Sequence, residues 1–213
     1  WSDSDLILVS VGRLAREKNF SFLLESIALL SQTALPWRLM IVGEGDERQA
    51  LKERARDLGL SNRVVFVGPV AFSDMPLYLQ ASDIFCFASV TETQGLATLE
   101  AMATGLPVVA VRASGTSDVM TDGVEGFLTD PSPTAMAKAI QQMLEQPELR
   151  RRCGQKAIET AAGCTLMTQA RRLVEVYRHA IEDNRRGVTL HPYLQSHWTA
   201  FLEFSGLIER HRP

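Results

Sequence analysis

The chain has 213 residues, enough for one large domain or a domain with an appendage. Apolar residues make up 46% and charged residues 22%, which excludes a disordered or collagen-like chain and fits an ordinary globular one. The formal net charge of −3 argues against non-specific nucleic-acid binding, and no apolar run reaches transmembrane length.

The elements follow one another as short apolar runs and helical patterns. Leu6–Val11 reads as a buried strand, and 20–30 as a helix with apolar residues at 20, 23, 24, 27 and 30. A second strand is predicted over 38–42, a charged helix over 47–58, a third strand over 64–67 and a short helix over 75–80. Residues 84–88 read as strand four, 96–104 as a helix ending at Gly105, and 106–111 as strand five. Pro107 sits at the start of that strand, where a missing N–H is tolerated. A sixth strand over 126–129 precedes helices at about 133–145, 147–162 and 166–186. Strands apolar on both faces, alternating with helices, predict an α/β fold: a doubly wound parallel sheet with helices on both sides. The expected division is a Rossmann-like domain over 1–183 and a C-terminal tail over 184–213. The tail's aromatic residues suit packing on a neighbouring domain. The chain opens on Trp1 and leads almost directly into a strand, as a fragment lacking its N-terminal portion would.

Three cysteines without CxxC or zinc spacing fit a reducing compartment and give no metal site. The four histidines all lie within 179–211, away from the predicted loop edge.

Ligands of open α/β sheets bind beyond the carboxyl ends of the strands. Five loops should open there, and each contains glycine. The first carries Gly12, Arg13 and Lys18; an arginine fork and a lysine point charge suit a diphosphate, or are simply surface cations flanking a turn. The second carries Gly43-x-Gly45, too short for a dinucleotide fingerprint; Gly43 lets a ligand approach the backbone, or merely makes a turn. The third is Gly68-Pro69-Val70 and the fifth Ala113-Ser114-Gly115-Thr116.

The fourth loop, Val90 to Gly95, is the most informative. Glu92 precedes the helix and Glu100 lies on it, sharing a face with Leu96, Ala97 and Ala103. A carboxylate on an apolar helix needs a partner, and the vicinal hydroxyls of a ribose would serve; a buried cation is the structural alternative. Thr91-x-x-Gln94 fits a capping box. Gly95 and Leu96 then offer free N–H groups and the positive end of a helix dipole to a phosphate.

Taken together, VGRLAREKN (11–19), IVGEGDER (41–48), VVFVGPV (64–70), SDIFCFASVTETQGLATLEAMATGLPVVA (82–110) and DGVEGFLTDP (122–131) are specific. The chain resembles the C-terminal, nucleotide-sugar-binding half of GT-B fold retaining glycosyltransferases of the family-four type over residues 5 to about 183. The resemblance implies that Arg13 and Lys18 bind the donor diphosphate, Glu92 contacts the donor sugar and Glu100 holds the ribose. It also implies that Gly95 and Leu96, with Gln94 beside them, bind phosphate through backbone donors, and that Pro69 and Val70 recognise the base. Gly12 and Gly43 count among the donor-binding positions.

The implied reaction is metal-independent sugar transfer from a nucleotide diphosphate to an acceptor, with retention. A UDP-sugar is favoured over GDP-mannose or ADP-glucose. No cofactor is implied, and the partners are a donor, a saccharide or lipid acceptor and an N-terminal acceptor domain that supplies a catalytic histidine. The implied location is cytoplasmic, with peripheral membrane attachment through that domain as a variant. Two departures stand out: Ser114-Gly115-Thr116-Ser117-Asp118 replaces the family's Gly-Gly-x-x-Glu, and Cys164-Thr165-Leu166 replaces its Ser-Trp. A related phosphorylase, a nucleotide-sugar epimerase and a non-catalytic binding module are the competing readings.

Overall fold

A computed structural model gives the fold and describes residues 2, 4–32 and 35–187. Six strands form one parallel sheet: β1 (Leu6–Val11), β2 (Trp37–Val42), β3 (Val64–Gly68), β4 (Ile84–Phe87), β5 (Val108–Val111) and β6 (Gly126–Thr129). Their order is β3-β2-β1-β4-β5-β6. Eight α-helices are described: α1 (Phe20–Ala28), α2 (Arg48–Asp57), α3 (Met75–Gln80), α4 (Leu96–Ala103), α5 (Ser114–Val119), α6 (Pro133–Glu145), α7 (Pro147–Gly163) and α8 (Leu166–Arg185). The sheet is therefore the doubly wound, Rossmann-like architecture, with its switch point between β1 and β4.

Strand alternation builds two cores from one sheet. Leu8, Leu39, Ile41, Ile84, Cys86 and Val109 join the buried residues of α1, α2 and α6 on one face. Ile7, Val9, Met40, Val42, Phe85 and Val108 join residues of α3, α4 and α7 on the other. Burial pushes the Cys86 thiol far above its ordinary range, so it behaves as a small apolar side chain.

Local chemistry fixes several element ends. Ser132 caps α6 by accepting from the Ala135 N–H, and Pro133 occupies the first turn, where its missing N–H costs nothing. Arg150 donates to the carbonyls of Met143 and Leu144 and so satisfies the end of α6. Asn19 adopts φ 57°, one of the few non-glycine residues suited to the left-handed region, where the chain turns into α1.

One element departs from the sequence reading. The fifth loop is expected to be irregular, yet 114–119 form α5. Its six residues carry no apolar stripe, and the turn is held by tertiary contacts described below.

The chain divides into two compact units, one ending at Cys164 and the other beginning at Thr165. In the second unit Thr165 caps α8 by accepting from the Thr168 N–H. Leu166, Leu173, Tyr177 and Ile181 are exposed along that helix. The aromatic tail singled out in the sequence lies outside the described residues, as do three of the four histidines. Among the described residues, no helix is long and apolar enough to cross a membrane.

Candidate functional site

Because β1 and β4 are neighbours, the loops that follow them meet at the switch point. A 3-10 turn at Arg16–Lys18 carries the first loop over the edge of the sheet. Three side-chain bonds fasten it to the fourth loop. Asn19 Nδ2 donates to the Ala88 carbonyl at 3.4 Å, while Ser89 Oγ and Thr91 Oγ1 donate to the Glu17 carbonyl at 3.2 and 3.4 Å.

This seam brings Lys18 to Glu92. Lys18 Nζ donates to Glu92 Oε2 at 3.0 Å, and the two side chains are only 27% and 13% exposed. The other carboxylate oxygen, Oε1, accepts from Gly95 N at 3.1 Å and Gln94 N at 3.4 Å, at the N-terminus of α4. Partial burial opposes the charge on Glu92. The Lys18 ammonium and the two N–H groups outweigh it and hold the carboxyl below the usual carboxylate range. Lys18 also lies 5.7 Å from the centre of the Phe87 ring, a second contact that holds its ammonium near β4.

Gly95 takes φ 65° as the N-cap of α4, and a Cβ there would lie 2.6 Å from the Gly115 carbonyl oxygen. Reciprocally, Gly115 N donates to the Glu92 carbonyl at 2.9 Å, and a Cβ on Gly115 would lie 2.6 Å from the Thr93 carbonyl carbon. The first turn of α5 thus presses against the back of the Glu92 loop. No pattern in the fifth loop marks Gly115 for this role; its chemistry lies in a missing side chain.

Two readings of individual residues change, and two further residues have surroundings that the sequence does not show. Thr91 and Gln94 make no capping box, because α4 begins only at Leu96 and Thr91 bonds to Glu17 instead. The cap residue is Gly95, without a side-chain cap bond, and Glu92 takes the N–H of Gly95 and of Gln94 just before the helix. Glu100 is not enclosed on an apolar helix but exposed on the outer face of α4, without an ion pair or hydrogen bond among the described residues. Its carboxyl lies beside an apolar groove of about 210 Å³ lined by Phe72, Met75, Pro76, Leu79, Ala103 and Thr104. Partial desolvation there pushes its pKa up. Gly43 lacks a side chain because a Cβ would lie 2.0 Å from the Gly12 carbonyl oxygen, so the close approach is between two loops of the protein.

Arg13 does not join Lys18 at Glu92; it is largely exposed and paired with Glu17 one helical turn away in sequence. Gly12 N bonds to the Val42 carbonyl and Gly43 N to the Gly68 carbonyl, which locks the first three loops edge to edge. Pro69 is exposed just beyond, and Val70 packs partly against the core. Gln94 and Leu96 are exposed at the mouth of α4. Among the described residues there is no cluster of three or more residues suited to holding a metal ion.

Residues 1–160 match the family described as glycosyl transferases group 1, and the chain belongs to that family. It is 37% identical over 176 residues to a D-inositol 3-phosphate glycosyltransferase of Corynebacterium urealyticum, covering 79% of this chain and 42% of that protein. The crystal structure of Anabaena HepE in complex with UDP and glucose superposes with a TM-score of 0.74 at 27% identity, covering 83% of this chain and 49% of that one. A C-terminal domain of a group 1 glycosyl transferase from Francisella tularensis shares the fold, with a TM-score of 0.65 at 23% identity over 74% of this chain and 84% of that domain. The architecture is thus the C-terminal, Rossmann-like half of a GT-B glycosyltransferase. The chain spans less than half the length of the curated relative and about half that of HepE.

Proposed function

We propose that this chain is the donor-binding domain of a retaining glycosyltransferase that takes a nucleotide diphosphate sugar, with a UDP-sugar as the favoured donor. The observation that carries the reading is the convergence of Lys18 Nζ and the Gly95 N–H on the two oxygens of one carboxylate. An ammonium and a helix N-terminus that clasp one anion are equipped to clasp a diphosphate. The UDP in the HepE structure supports the choice of base.

In the proposed complex the diphosphate lies between Lys18 and the first turn of α4, whose N–H groups have no acceptor within the helix. Arg13, freed from Glu17, reaches the same phosphates. Glu100 accepts hydrogen bonds from the ribose hydroxyls, and Pro69 and Val70 border the base. When the bond to the sugar breaks, negative charge grows on the diphosphate, and Lys18, Arg13 and the α4 dipole stabilise it without a metal. Glu92 faces the sugar; it is not one of a glycosidase-like carboxylate pair. The acceptor, a saccharide or a lipid, is bound by a second domain, and the reaction takes place in the cytoplasm.

Calorimetric titration with UDP, GDP and ADP tests the reading. Saturable UDP binding is expected, lost in Lys18→Ala and weakened in Glu100→Ala. No binding of any of the three at millimolar concentration sinks the proposal.

A further inference from the structure

Part of the seat assigned above to a phosphate, the Lys18 ammonium and the Gly95 N–H, is held by the protein's own carboxylate. Glu92 Oε2 takes the Lys18 ammonium at 3.0 Å, and Oε1 takes the Gly95 N–H at 3.1 Å and the Gln94 N–H at 3.4 Å. While Glu92 holds them, a diphosphate can take neither the Gln94 and Gly95 N–H groups, each of which points at one acceptor, nor the position against the Lys18 ammonium that the carboxylate occupies. We infer that Glu92 is an internal placeholder: it closes the anion seat in the unliganded chain and must swing out when the donor's diphosphate enters. This inference rests on the donor-site reading.

Three features permit the exchange. The charges match, so the seat never holds two positive elements without an anion. Glu92 belongs to a loop and not to a helix, and only its side chain must rotate. Its backbone stays fixed, because the Glu92 carbonyl accepts from Gly115 N at 2.9 Å and Ser89 and Thr91 are tied to Glu17. The displaced carboxylate leaves the phosphate's side of the loop and becomes available to sugar hydroxyls. One residue therefore serves in two positions, and donor arrival is what releases it.

The expected signature is a penalty on binding a ligand that carries the diphosphate but no sugar. The apparent dissociation constant equals the intrinsic one divided by the fraction of open seats. Emptying the seat by Glu92→Ala should tighten UDP roughly three- to thirtyfold if the open fraction is between about a third and a thirtieth. Uridine, which has no phosphate to compete, should bind both proteins equally.

The experiment is calorimetry of UDP and uridine on the 213-residue chain, its Glu92→Ala and Glu92→Gln variants, and Lys18→Ala. It is combined with carbon-detected NMR of the Glu92 carboxyl during acid titration, with and without saturating UDP. In the free chain the carboxyl titrates below the ordinary glutamate range; with UDP bound it has lost Lys18 and the two amides, and it titrates higher. Tighter UDP binding in both variants with unchanged uridine binding, and an upward move of the Glu92 titration, support the placeholder. UDP binding that is unchanged or weaker in the variants, or a Glu92 titration indifferent to UDP, overturns it. If wild type binds UDP and Lys18→Ala does not, the donor-site reading survives that failure. If neither the wild type nor the Glu92 variants bind UDP, both fall together.

Discussion

Ser89 Oγ donates to the Glu17 carbonyl oxygen across 3.2 Å, and this bond joins the loop after β4 to the turn after β1. Ser89 is fully buried, so its hydroxyl has no water to fall back on. The bond spans the switch point and sets how far apart Lys18 and Glu92 stand.

Ser89→Ala should therefore act on two measurements at once. Loss of one buried neutral hydrogen bond costs about 1 kcal/mol, or roughly 2–4 °C in melting temperature for a domain of this size. UDP affinity should fall as well, because the basic turn loses its registry with α4. Calorimetric melting and UDP titration check it; a melting shift with unaltered UDP affinity would show that the seam does not position Lys18.

Gly115→Ala tests the packing behind the Glu92 loop. A Cβ would stand 2.6 Å from the Thr93 carbonyl carbon, 2.7 Å from Gln94 N and 2.8 Å from the Glu92 carbonyl oxygen, all of them backbone atoms with little room to yield. The loop must shift, at a cost of about 1–3 kcal/mol. Urea unfolding should show that loss, and UDP binding should weaken by about tenfold or more as the Gly95 N–H is re-aimed. Gly59→Ala is the comparison: φ there is 71°, so strain is present, but nothing lies within 4 Å and the site is untouched.

Much of this was legible in the sequence, and the exceptions share a cause. Runs such as Leu6–Val11 and Val108–Val111 are apolar on both faces, so burial in a parallel sheet dominates any other local preference. Helix α5 was not legible, because Ser114–Val119 has no stripe to bury and its turn depends on Gly115 bonding to a loop twenty-three residues earlier. Spacing places Lys18 and Glu92 on the same edge; their contact depends on β1 lying beside β4, which is strand order and not periodicity. Helical spacing likewise identifies the face on which Glu100 sits, without saying that nothing covers that face.

Glu125 offers a control at the other edge of the sheet. It is 4% exposed, accepts from Thr121 N at 2.8 Å and from Thr160 Oγ1 at 2.6 Å, and so ties α7 to the turn that enters β6. Glu125→Ala leaves both donors without an acceptor and should cost about 2–3 kcal/mol, read as a lower urea midpoint. UDP affinity of the folded fraction should stay at the wild-type value, since this turn lies at the amino end of β6 and the donor loops lie at the carboxyl ends. A fall in UDP affinity would mean that the site extends through the sheet.

Glu92 and Glu100 should respond to pH with opposite signs. Glu92 has a folded pKa below its ordinary value of 4.5, so its contribution to stability is present above that value and is lost as pH falls through the folded pKa. The pKa of Glu100 is raised, so its ionised form is less favourable in the folded chain than in the unfolded one, and near neutral pH it lowers stability. Glu100→Gln should raise the melting temperature near pH 7. The gain should shrink as pH falls through the Glu100 titration and vanish once the carboxyl is protonated in both states. The same substitution should weaken UDP binding by about tenfold, because an amide is a poorer acceptor for two ribose hydroxyls than a carboxylate. Melting curves at several pH values, with UDP titrations alongside, separate the two effects. A Glu100→Gln variant that is less stable at neutral pH and binds UDP as wild type does would show that Glu100 serves the fold and not the donor.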